Sequence, residues 1–530
     1  MAVLLLQLTP VQDYLRRQGE LYLQNKLHTK VQIGYLRARG WRYLELRNIV
    51  VSDTSNNALL YSGSLKVRYN LLALLNNELR VNKLEWDSLL VNAYRHTNDS
   101  AFNFQFVIDA FVSPDTKPDT LAPETGTTLQ FHIRDVKLRQ VRISYLDGLE
   151  GMHAVLRLDS LEIDPDELLV NNGVYAFRGI TLDGLSGFFR QSYRQKTTVA
   201  AAPPPPATDT AAAPFHLLLK QLKIRNSTFL YESEDIGIST AWKVGSLQLN
   251  NANIDQDSTR IQAQDIHISR TKGLLTMSAA KDTTPAPAEP APNTWRVLTS
   301  QALLEQITFK YDNNTGPAPR GAGSDPDYNH LLLRDFNTRV SDINYRPDTV
   351  SALLHSLSMR DKSGFAVKRA HMYFTFTPQS LSLQDLLVET TRSILRKHIV
   401  VTVPSWETVA DHLEQLQIRA NIDSSRIALG EWLAFVPDSR SNPYMKPLWD
   451  KQLTVSAILK GPLSNLNIQH LYVRDNVGNT LQTQGQIFYA ANTDSIRANL
   501  PSIMLQSGNS ALRSWPVSYT HLTLPTKRIV

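Results

Sequence analysis

The sequence Leu129–Tyr145 reads LQFHIRDVKLRQVRISY, and the same 17-residue pattern returns twice further along the chain. Phe215–Tyr231 reads FHLLLKQLKIRNSTFLY, and Trp295–Tyr311 reads WRVLTSQALLEQITFKY. The copies align without a gap, with apolar or aromatic residues at positions one, three, eight, ten and fifteen and a final tyrosine. A motif that returns at steps of about 80 to 90 residues predicts a modular array of structural repeats.

Each copy follows a spacer rich in proline, alanine and threonine. The three spacers are Val112–Thr128, Thr198–Pro214 and Lys281–Thr294, and a fourth, Asn313–Asp327, lies inside the third copy's repeat. Proline cannot donate a hydrogen bond to a strand ladder, and such stretches bury too little apolar surface to order themselves. We therefore expect disordered loops between the strands of a continuous sheet.

The dominant hydrophobic period is two from Thr29 onward. Runs such as Leu65/Val67/Tyr69 and Val141/Ile143/Tyr145 alternate with mostly polar residues, which predicts strands with one apolar face and one wet face. A short amphipathic helix should come first, because Thr9-Pro10 suits a helix start. Helices do not alternate with strands, so the predicted fold class is mainly β: an elongated, twisted, largely antiparallel sheet with a short N-terminal helix.

The predicted helix, Pro10–Leu27, is amphipathic. Val11, Tyr14, Leu15, Gln18 and Tyr22 follow helical spacing, and this pattern predicts one helix side formed mainly by apolar residues. The charged residues Asp13, Arg16, Arg17 and Glu20 are expected elsewhere on the surface.

Composition narrows the classes of partner and chemistry. The formal net charge of +6 fits anionic lipid headgroups or nucleic acid, but no basic helix or aromatic-glycine RNA-binding signature accompanies it. Nucleic acid is therefore not an expected partner. The chain has no cysteine, which excludes disulfides, thiolate catalysis and zinc–sulfur sites.

Catalytic and metal-binding motifs are not recognisable in the sequence. The 13 histidines show neither H-x-H nor H-x-x-x-H spacing, and Gly184-Leu185-Ser186-Gly187 is one residue short of a nucleophile elbow. Asp164, Asp166 and Glu167 could chelate a cation, although an Asp-rich turn is the commoner cause of such a cluster. We expect no enzyme activity, no metal and no cofactor.

The first 111 residues resemble the start of the TamB family, which belongs to the AsmA-like superfamily and acts in outer-membrane biogenesis of Gram-negative bacteria. The segments that carry the resemblance run in order: Leu4–Gln12 (LLLQLTPVQ), Tyr22–Gly34 (YLQNKLHTKVQIG), Leu44–Asp53 (LELRNIVVSD), Leu59–Val67 (LLYSGSLKV) and Phe102–Phe111 (FNFQFVIDAF). Ser382–Thr390 and Leu453–Leu471 are similar to the interior of the same family. The ordered series carries the resemblance, since no single motif is specific.

The resemblance implies a sheet curved into a U-shaped groove whose apolar concave face conducts phospholipids toward the outer membrane. It also implies a single-pass inner-membrane anchor, with most of the chain in the periplasm. The implied partners are phospholipids, the inner membrane and an outer-membrane β-barrel of the Omp85 type. Two departures concern the termini: the full anchor helix and the family's C-terminal domain are both missing.

The ends of the chain have their own interpretations. Ala2–Leu8 is apolar but too short to span a bilayer, and we interpret it as the end of an anchor. Val517–Thr526 (VSYTHLTLPT) resembles a reading frame of a sequencing-library adapter, so we interpret 517–530 as an artefactual tail.

The predicted organisation follows from the spacers and the resemblance. It comprises an anchor remnant (1–8), the helix (9–28), an N-terminal β module (29–111), a loop (112–128), repeat 1 (129–197), a loop (198–214), repeat 2 (215–280), a loop (281–294), repeat 3 with internal loop 313–327 (295–380), a further β segment (381–516) and the tail (517–530).

The candidate groove-lining residues come from the apolar faces of the predicted strands. They are Val141, Ile143, Leu161, Ile163, Leu222, Ile224, Leu247, Leu249, Ile266, Ile268, Ile307 and Phe309. Alternation shows a face but not what covers it, so an open groove and a filled sandwich both remain possible.

Two other functions compete with lipid conduction. One is a scaffold or chaperone whose strand edges pair with nascent outer-membrane β-barrel proteins. The other is a carbohydrate-acting β-helix enzyme, which would need clustered carboxylates and a period of roughly 20–30 residues. Neither of these two enzyme signals is visible.

Overall fold

The structure is a computed structural model that describes most of the chain. The described residues are 8–39, 42–70, 78–111, 130–169, 173–194, 215–281, 294–321, 325–406, 408–409, 412–435, 439–443, 445–491 and 495–507. The predicted loops 112–128 and 198–214, residues 282–293 of the third loop, residues 1–7 and the tail 517–530 lie outside these ranges.

The prediction of a mainly β, largely antiparallel sheet with an N-terminal helix is confirmed. The helices are α1 (Thr9–Leu27), α2 (Gln105–Phe111) and α3 (Leu429–Leu433), with short 3-10 turns at Leu413–Gln415 and Lys446–Leu448. The strands up to the third motif copy are β1 (Val31–Arg39), β2 (Tyr43–Ser52), β3 (Ala58–Asn70), β4 (Glu78–Arg95), β5 (Gln130–Ile133), β6 (Val136–Asp147), β7 (Met152–Leu169), β8 (Val174–Asp183), β9 (Ser186–Gln191), β10 (His216–Ser233), β11 (Ile238–Asp255), β12 (Arg260–Ser269), β13 (Lys272–Met277) and β14 (Arg296–Asn313). The remaining strands are β15 (His330–Arg346), β16 (Thr349–Asp361), β17 (Ala366–Thr377), β18 (Ser380–Thr390), β19 (Ile394–Thr402), β20 (Gln417–Ala428), β21 (Gln452–Pro462), β22 (Asn465–Asp475), β23 (Thr480–Phe488) and β24 (Arg497–Gln506).

The chain divides into two compact units. Unit 1 comprises Met1–Asn293 and Ile307–Ala318, and unit 2 comprises Thr294–Gln306 and Pro319–Val530. In unit 2, successive strands from β15 to β24 pair antiparallel. Unit 1 contains the N-terminal module and the first two motif copies.

The three motif copies form strands that pair in parallel with the strand before them. The copies lie in β5–β6, β10 and β14, and they pair with β4, with β8 and β9, and with β13 respectively. The first two copies each begin a new group of antiparallel strands, since β6 pairs antiparallel with β7 and β10 with β11.

The parallel pairings explain why the spacers are long. Gln191 lies opposite Ser233 at the end of β10, yet the chain must next reach His216 at its start. The connection must run back along the whole length of β10, which is about 60 Å for 18 residues. A tight hairpin cannot span this distance. The 24-residue connection 192–215 can reach about 80 Å when extended, so its length satisfies the pairing.

Helix α1 covers the edge strand β1 with polar side chains. Residues four apart share a helix face, and the unpaired backbone groups of an edge strand need partners. Gln12 Nε2 donates to the Ala38 carbonyl at 3.2 Å, Arg16 Nη1 to the Ile33 carbonyl at 3.0 Å and Gln24 Nε2 to the Val31 carbonyl at 2.7 Å, while Ile33 N–H donates to Glu20 Oε1 at 2.6 Å. Arg16 and Glu20, which we expected on the surface of the helix, lie against the edge of β1, because the backbone groups of an edge strand need hydrogen-bond partners.

Candidate functional site

In unit 1, a polar residue with left-handed backbone geometry lies within β4, β6 and β10 and between β12 and β13. Ser88, Gln140, Asn226 and Arg270 have φ values of 57°, 50°, 47° and 50°. We call these four the kink residues. A left-handed residue interrupts an extended strand and turns it. Position twelve of the motif is the kink in all three copies, since Gln306 of the third copy has φ 55°.

The residue that follows each kink is buried. Leu89, Val141, Ser227 and Thr271 follow the four kink residues, and all are at most 8% exposed. In unit 2 the same holds after the left-handed residues Asp385 and Ser424, where Leu386 and Ser425 are buried.

The kink also changes which side chains share a face. In β6, Leu138 packs against the buried cluster formed by Leu89, Val141 and Leu158, although Leu138 and Val141 are three residues apart. Trp86 of β4 and Leu161 of β7 pack against the same cluster. Side chains from both sides of the kink thus meet on one face, so the apolar face is the concave side of the bend.

Two apolar rows cross ten strands of unit 1 on this concave face. Residues directly opposite each other in a ladder lie on the same face of the sheet. Row A contains Ala38, Leu44, Val67, Leu84, Val136, Ile163, Ile180, Leu222, Leu249 and Ile266. Row B contains Leu36, Leu46, Leu65, Trp86, Leu138, Leu161, Leu182, Ile224, Leu247 and Ile268.

Rows A and B are neither buried nor fully exposed. All twenty side chains fall in the intermediate range of exposure, whereas a second layer packed against them would bury them. Every position in both rows is apolar, so the strip has no polar interruption.

A third row, which we call row D, lies on the other side of the kink residues from rows A and B. It carries aromatic side chains. It contains Val31, Val51, Leu60, Val91, Ile143, Leu156, Gly187, Phe229, Trp242, Gly273 and Phe309. Trp242 lies over Gly273, where an added Cβ would sit 2.5 Å from the indole ring, and its ring centroid is 6.2 Å from that of Phe309. Phe229 and Trp242 are 39% and 38% exposed, so row D presents apolar surface to the same concave side.

The opposite face of these strands is polar. The row between A and B on that face contains Glu45, Lys66, Glu85, Lys137, Glu162, Thr181, Lys223, Gln248 and His267. Opposite charges alternate across its first strands, and Lys137 Nζ lies 3.0 Å from Glu162 Oε1. These strands of unit 1 therefore have one polar face and one apolar face.

The structure brings the predicted groove residues together in a few rows. Ile163, Leu222, Leu249 and Ile266 lie in row A, and Leu161, Ile224, Leu247 and Ile268 lie in row B. Ile143 and Phe309 lie in row D. Val141 and Ile307 occupy the same motif position, directly after a left-handed residue, and both are buried.

Sequence reasoning missed 12 of the 20 residues in rows A and B. The residues of β1–β4 in rows A and B, together with Val136, Leu138, Ile180 and Leu182, were not among the candidates. A strict period of two groups Val141 with Ile143 and excludes Leu138, because it does not allow for a kink. The signal available in the sequence is the polar or amide residue at position twelve of each motif copy.

Asp164 and Asp166, two of the three acidic residues named as possible cation ligands, bind basic side chains of the chain itself. Arg178 Nε donates to Asp164 Oδ2 at 3.0 Å, and Arg178 Nη1 donates to Asp166 Oδ1 at 2.8 Å. Lys220 Nζ donates to Asp166 Oδ2 at 2.8 Å, and this contact lowers the pKa of Asp166. A different group, His216, Asp255 and Asp257, has its ligand atoms within 4.8 Å of one another and is partly exposed.

A buried ion pair fixes the turn after β6. Arg95 Nε donates to Asp147 Oδ1 at 2.9 Å, and the backbone N–H groups of Leu149 and Glu150 donate to the same oxygen at 3.1 and 3.2 Å. The Arg95 hydrogen bond holds the pKa of Asp147 below its ordinary value against the opposing effect of burial. The pair therefore joins β4 to the end of the first motif copy.

Within the described part of the chain, no helix has both the length and the apolar character needed to cross a membrane. Comparisons with protein-family models, with curated proteins and with solved structures give no match to this chain.

Proposed function

We propose that the concave face of unit 1 binds the acyl chains of phospholipids and conducts them along rows A and B. The observation that carries this proposal is the uninterrupted apolar strip across ten strands, each of whose side chains remains partly exposed. At about 4.8 Å per strand the strip is roughly 45 Å long.

The physical chemistry of lipid transfer requires such a surface. Exposing two acyl chains of roughly 16 carbons to water costs on the order of 25 kcal/mol, at about 0.8 kcal/mol per CH₂. A single polar position would create a barrier along the path. The polar outer face keeps the opposite side of the sheet wetted, and the process needs no catalytic group.

The biological setting of this proposal comes from the resemblance described above. In that setting the protein is anchored in the inner membrane, extends into the periplasm and delivers phospholipids toward the outer membrane. An outer-membrane β-barrel of the Omp85 type would be its partner there.

The test places charges on one face and compares them with charges on the other. The double variant Leu182→Asp/Leu247→Asp puts carboxylates into row B. The double variant Thr181→Asp/Gln248→Asp puts carboxylates on the polar face of the same two strands. Native mass spectrometry and lipid extraction would measure phospholipid bound per purified chain. We expect the row B pair to lower it at least about tenfold, because a carboxylate in an acyl environment costs about 2.5–3.5 kcal/mol.

The matched pair controls for folding. Because Leu182 and Leu247 are partly exposed, the substituted chains should retain their circular-dichroism spectra and thermal transitions. Equal lipid content in the two double variants, or a lipid-free unsubstituted chain, would refute conduction through these rows.

A second candidate function, pairing with strands of outer-membrane β-barrel proteins, is favoured by β24. β24 pairs with β23, and among the described residues no strand occupies its other side. Ile503, Met504 and Leu505 are 59%, 66% and 58% exposed. An exposed strand edge is a template for another strand, and lysine blocks such pairing. Met504→Lys should weaken capture of an unfolded β-barrel protein and leave lipid content unchanged.

A further inference from the structure

Helix α1 carries its exposed apolar residues on the side away from the sheet. Its polar stripe, Gln12, Arg16, Glu20 and Gln24, hydrogen-bonds the edge of β1. Leu8, which immediately precedes α1, and the helical residues Tyr14, Leu15, Leu21 and Tyr22 are 51%, 61%, 37%, 51% and 63% exposed. We call these five residues the outer face of α1.

The spacing of these residues arranges them in two columns along α1. Leu8, Leu15 and Tyr22 recur every seven residues, and so do Tyr14 and Leu21. Two turns of helix return nearly to the same direction, so each set forms a column; the two columns lie about 100° apart, and the exposed Gln18 and Asn25 lie between them. The short helix α2 contacts α1 and exposes Ile108 at 44%, which adds apolar surface nearby.

The charges around the outer face have one sign. Arg17 and Lys26 flank it and are exposed. Both acidic residues of the helix contact Arg16 of the polar stripe: Asp13 Oδ1 is 3.7 Å from Arg16 Nε, and Glu20 Oε1 is 2.9 Å from Arg16 Nη1. The outer face therefore has a basic border and no acidic side chain.

We propose that the outer face of α1 docks on the surface of an anionic lipid bilayer, with the helix lying in the plane of the interface. Interfacial helices combine apolar side chains with Lys and Arg on their flanks, and tyrosine is enriched at the headgroup level. The exposed residues, their columns and the basic border of α1 match each of these features. This surface does not depend on the proposed conduction, since either can fail while the other holds.

The probe is a set of sucrose-loaded vesicles of phosphatidylethanolamine and phosphatidylglycerol in a three-to-one ratio, with phosphatidylcholine vesicles for comparison. The whole chain carrying Tyr14→Gln, Leu21→Gln and Tyr22→Gln is compared with the unsubstituted chain by co-sedimentation. A control triple, Ile236→Gln, Tyr328→Gln and Val477→Gln, removes equally exposed apolar residues elsewhere.

We expect the unsubstituted chain to bind the anionic vesicles more tightly than the phosphatidylcholine vesicles. The α1 triple should bind the anionic vesicles at least about tenfold more weakly than the unsubstituted chain, and the control triple should bind as the unsubstituted chain does. Leu247→Asp should leave vesicle binding unchanged, which separates this surface from rows A and B. Because the substituted side chains are exposed, helix content by circular dichroism should not change.

Two outcomes would overturn the proposal. One is vesicle binding by the α1 triple equal to that of the unsubstituted chain. The other is self-association of the unsubstituted chain that the α1 triple abolishes, without binding to either kind of vesicle, which would assign the outer face to a second copy.

Discussion

At the scale of the residue, the concave face depends on side chains that sequence rules treat as unremarkable. Gln140 is an exposed polar residue in a strand, yet its left-handed backbone places Leu138 and Val141 in one cluster. Reading the sequence with a period of two predicted the strand correctly but did not place Leu138 with Val141. It could not predict that the alternation changes at Gln140, because backbone φ is not visible in hydrophobicity.

Replacing Gln140 tests whether the left-handed backbone matters for stability. Gln140→Gly removes the steric cost of a positive φ at this position. Gln140→Val raises that cost, because valine has a β-branched side chain. We expect the free energy of unfolding of the valine variant to be about 1–2 kcal/mol below that of the glycine variant in urea titrations. Equal stabilities would mean that the kink is not enforced by the fold.

Gly187 tests how closely row D is packed. An added Cβ would lie 2.3 Å from the Val155 carbonyl oxygen, which is backbone and cannot move aside easily. We expect Gly187→Ala to lower the free energy of unfolding by about 1–3 kcal/mol. Gly179 has no atom within 4 Å of an added Cβ, so Gly179→Ala should leave stability unchanged or raise it by about 0.4–1 kcal/mol. Similar losses in both variants would contradict the register assigned to β9.

The Arg95–Asp147 pair should make stability depend on pH. Because the folded pKa of Asp147 is lowered, its contribution is complete above its unfolded pKa of about 3.9 and is lost as pH falls through the folded value. We expect Asp147→Asn to cost about 1.5–3 kcal/mol at pH 7, as for hydrogen bonds to charged groups. The gap to the unsubstituted chain should narrow in acid titrations below pH of about 4, and a gap independent of pH would refute this role.

At the scale of the element, α1 shows that a helix beside an edge strand can turn its polar side, and not its apolar side, toward the sheet. The helix itself was predictable from its start signal and its spacing. Its orientation was not, because a helix that docks on a sheet edge needs hydrogen-bonding side chains toward the sheet and not apolar ones. The sequence feature that indicates this role is the spacing of four residues between Gln12, Arg16, Glu20 and Gln24.

Glu20 tests the edge-covering role of α1. Its Oε1 accepts hydrogen bonds from Ile33 N–H at 2.6 Å and from Arg16 Nη1 at 2.9 Å. We expect Glu20→Ala to accelerate hydrogen exchange of the Ile33 amide by about tenfold, because a lost hydrogen bond to a charged group is worth about 1.5 kcal/mol or more. Gln18→Ala, at an exposed position, should leave that exchange unchanged. Protection of Ile33 that survives the Glu20 substitution would argue against the edge-covering role.

At the scale of the whole molecule, the central claim concerns a strip of apolar surface in unit 1 and what occupies it. The sequence predicted the sheet, its repeats and the wet and apolar faces. It could not distinguish an open groove from a filled sandwich, since both need the same alternation, and the intermediate exposure of rows A and B is a property of the folded chain.

Photocross-linking tests this central claim most directly. A benzophenone side chain would replace Leu138 or Leu247 in row B. As controls, it would replace Lys137 or Gln248 on the polar face of the same two strands. Irradiation in phospholipid-producing cells, followed by mass spectrometry of the purified chain, would detect covalent lipid adducts. We predict adducts at Leu138 and Leu247 and none at Lys137 and Gln248. Adducts at equal levels on both faces, or none in row B, would contradict a lipid-binding groove.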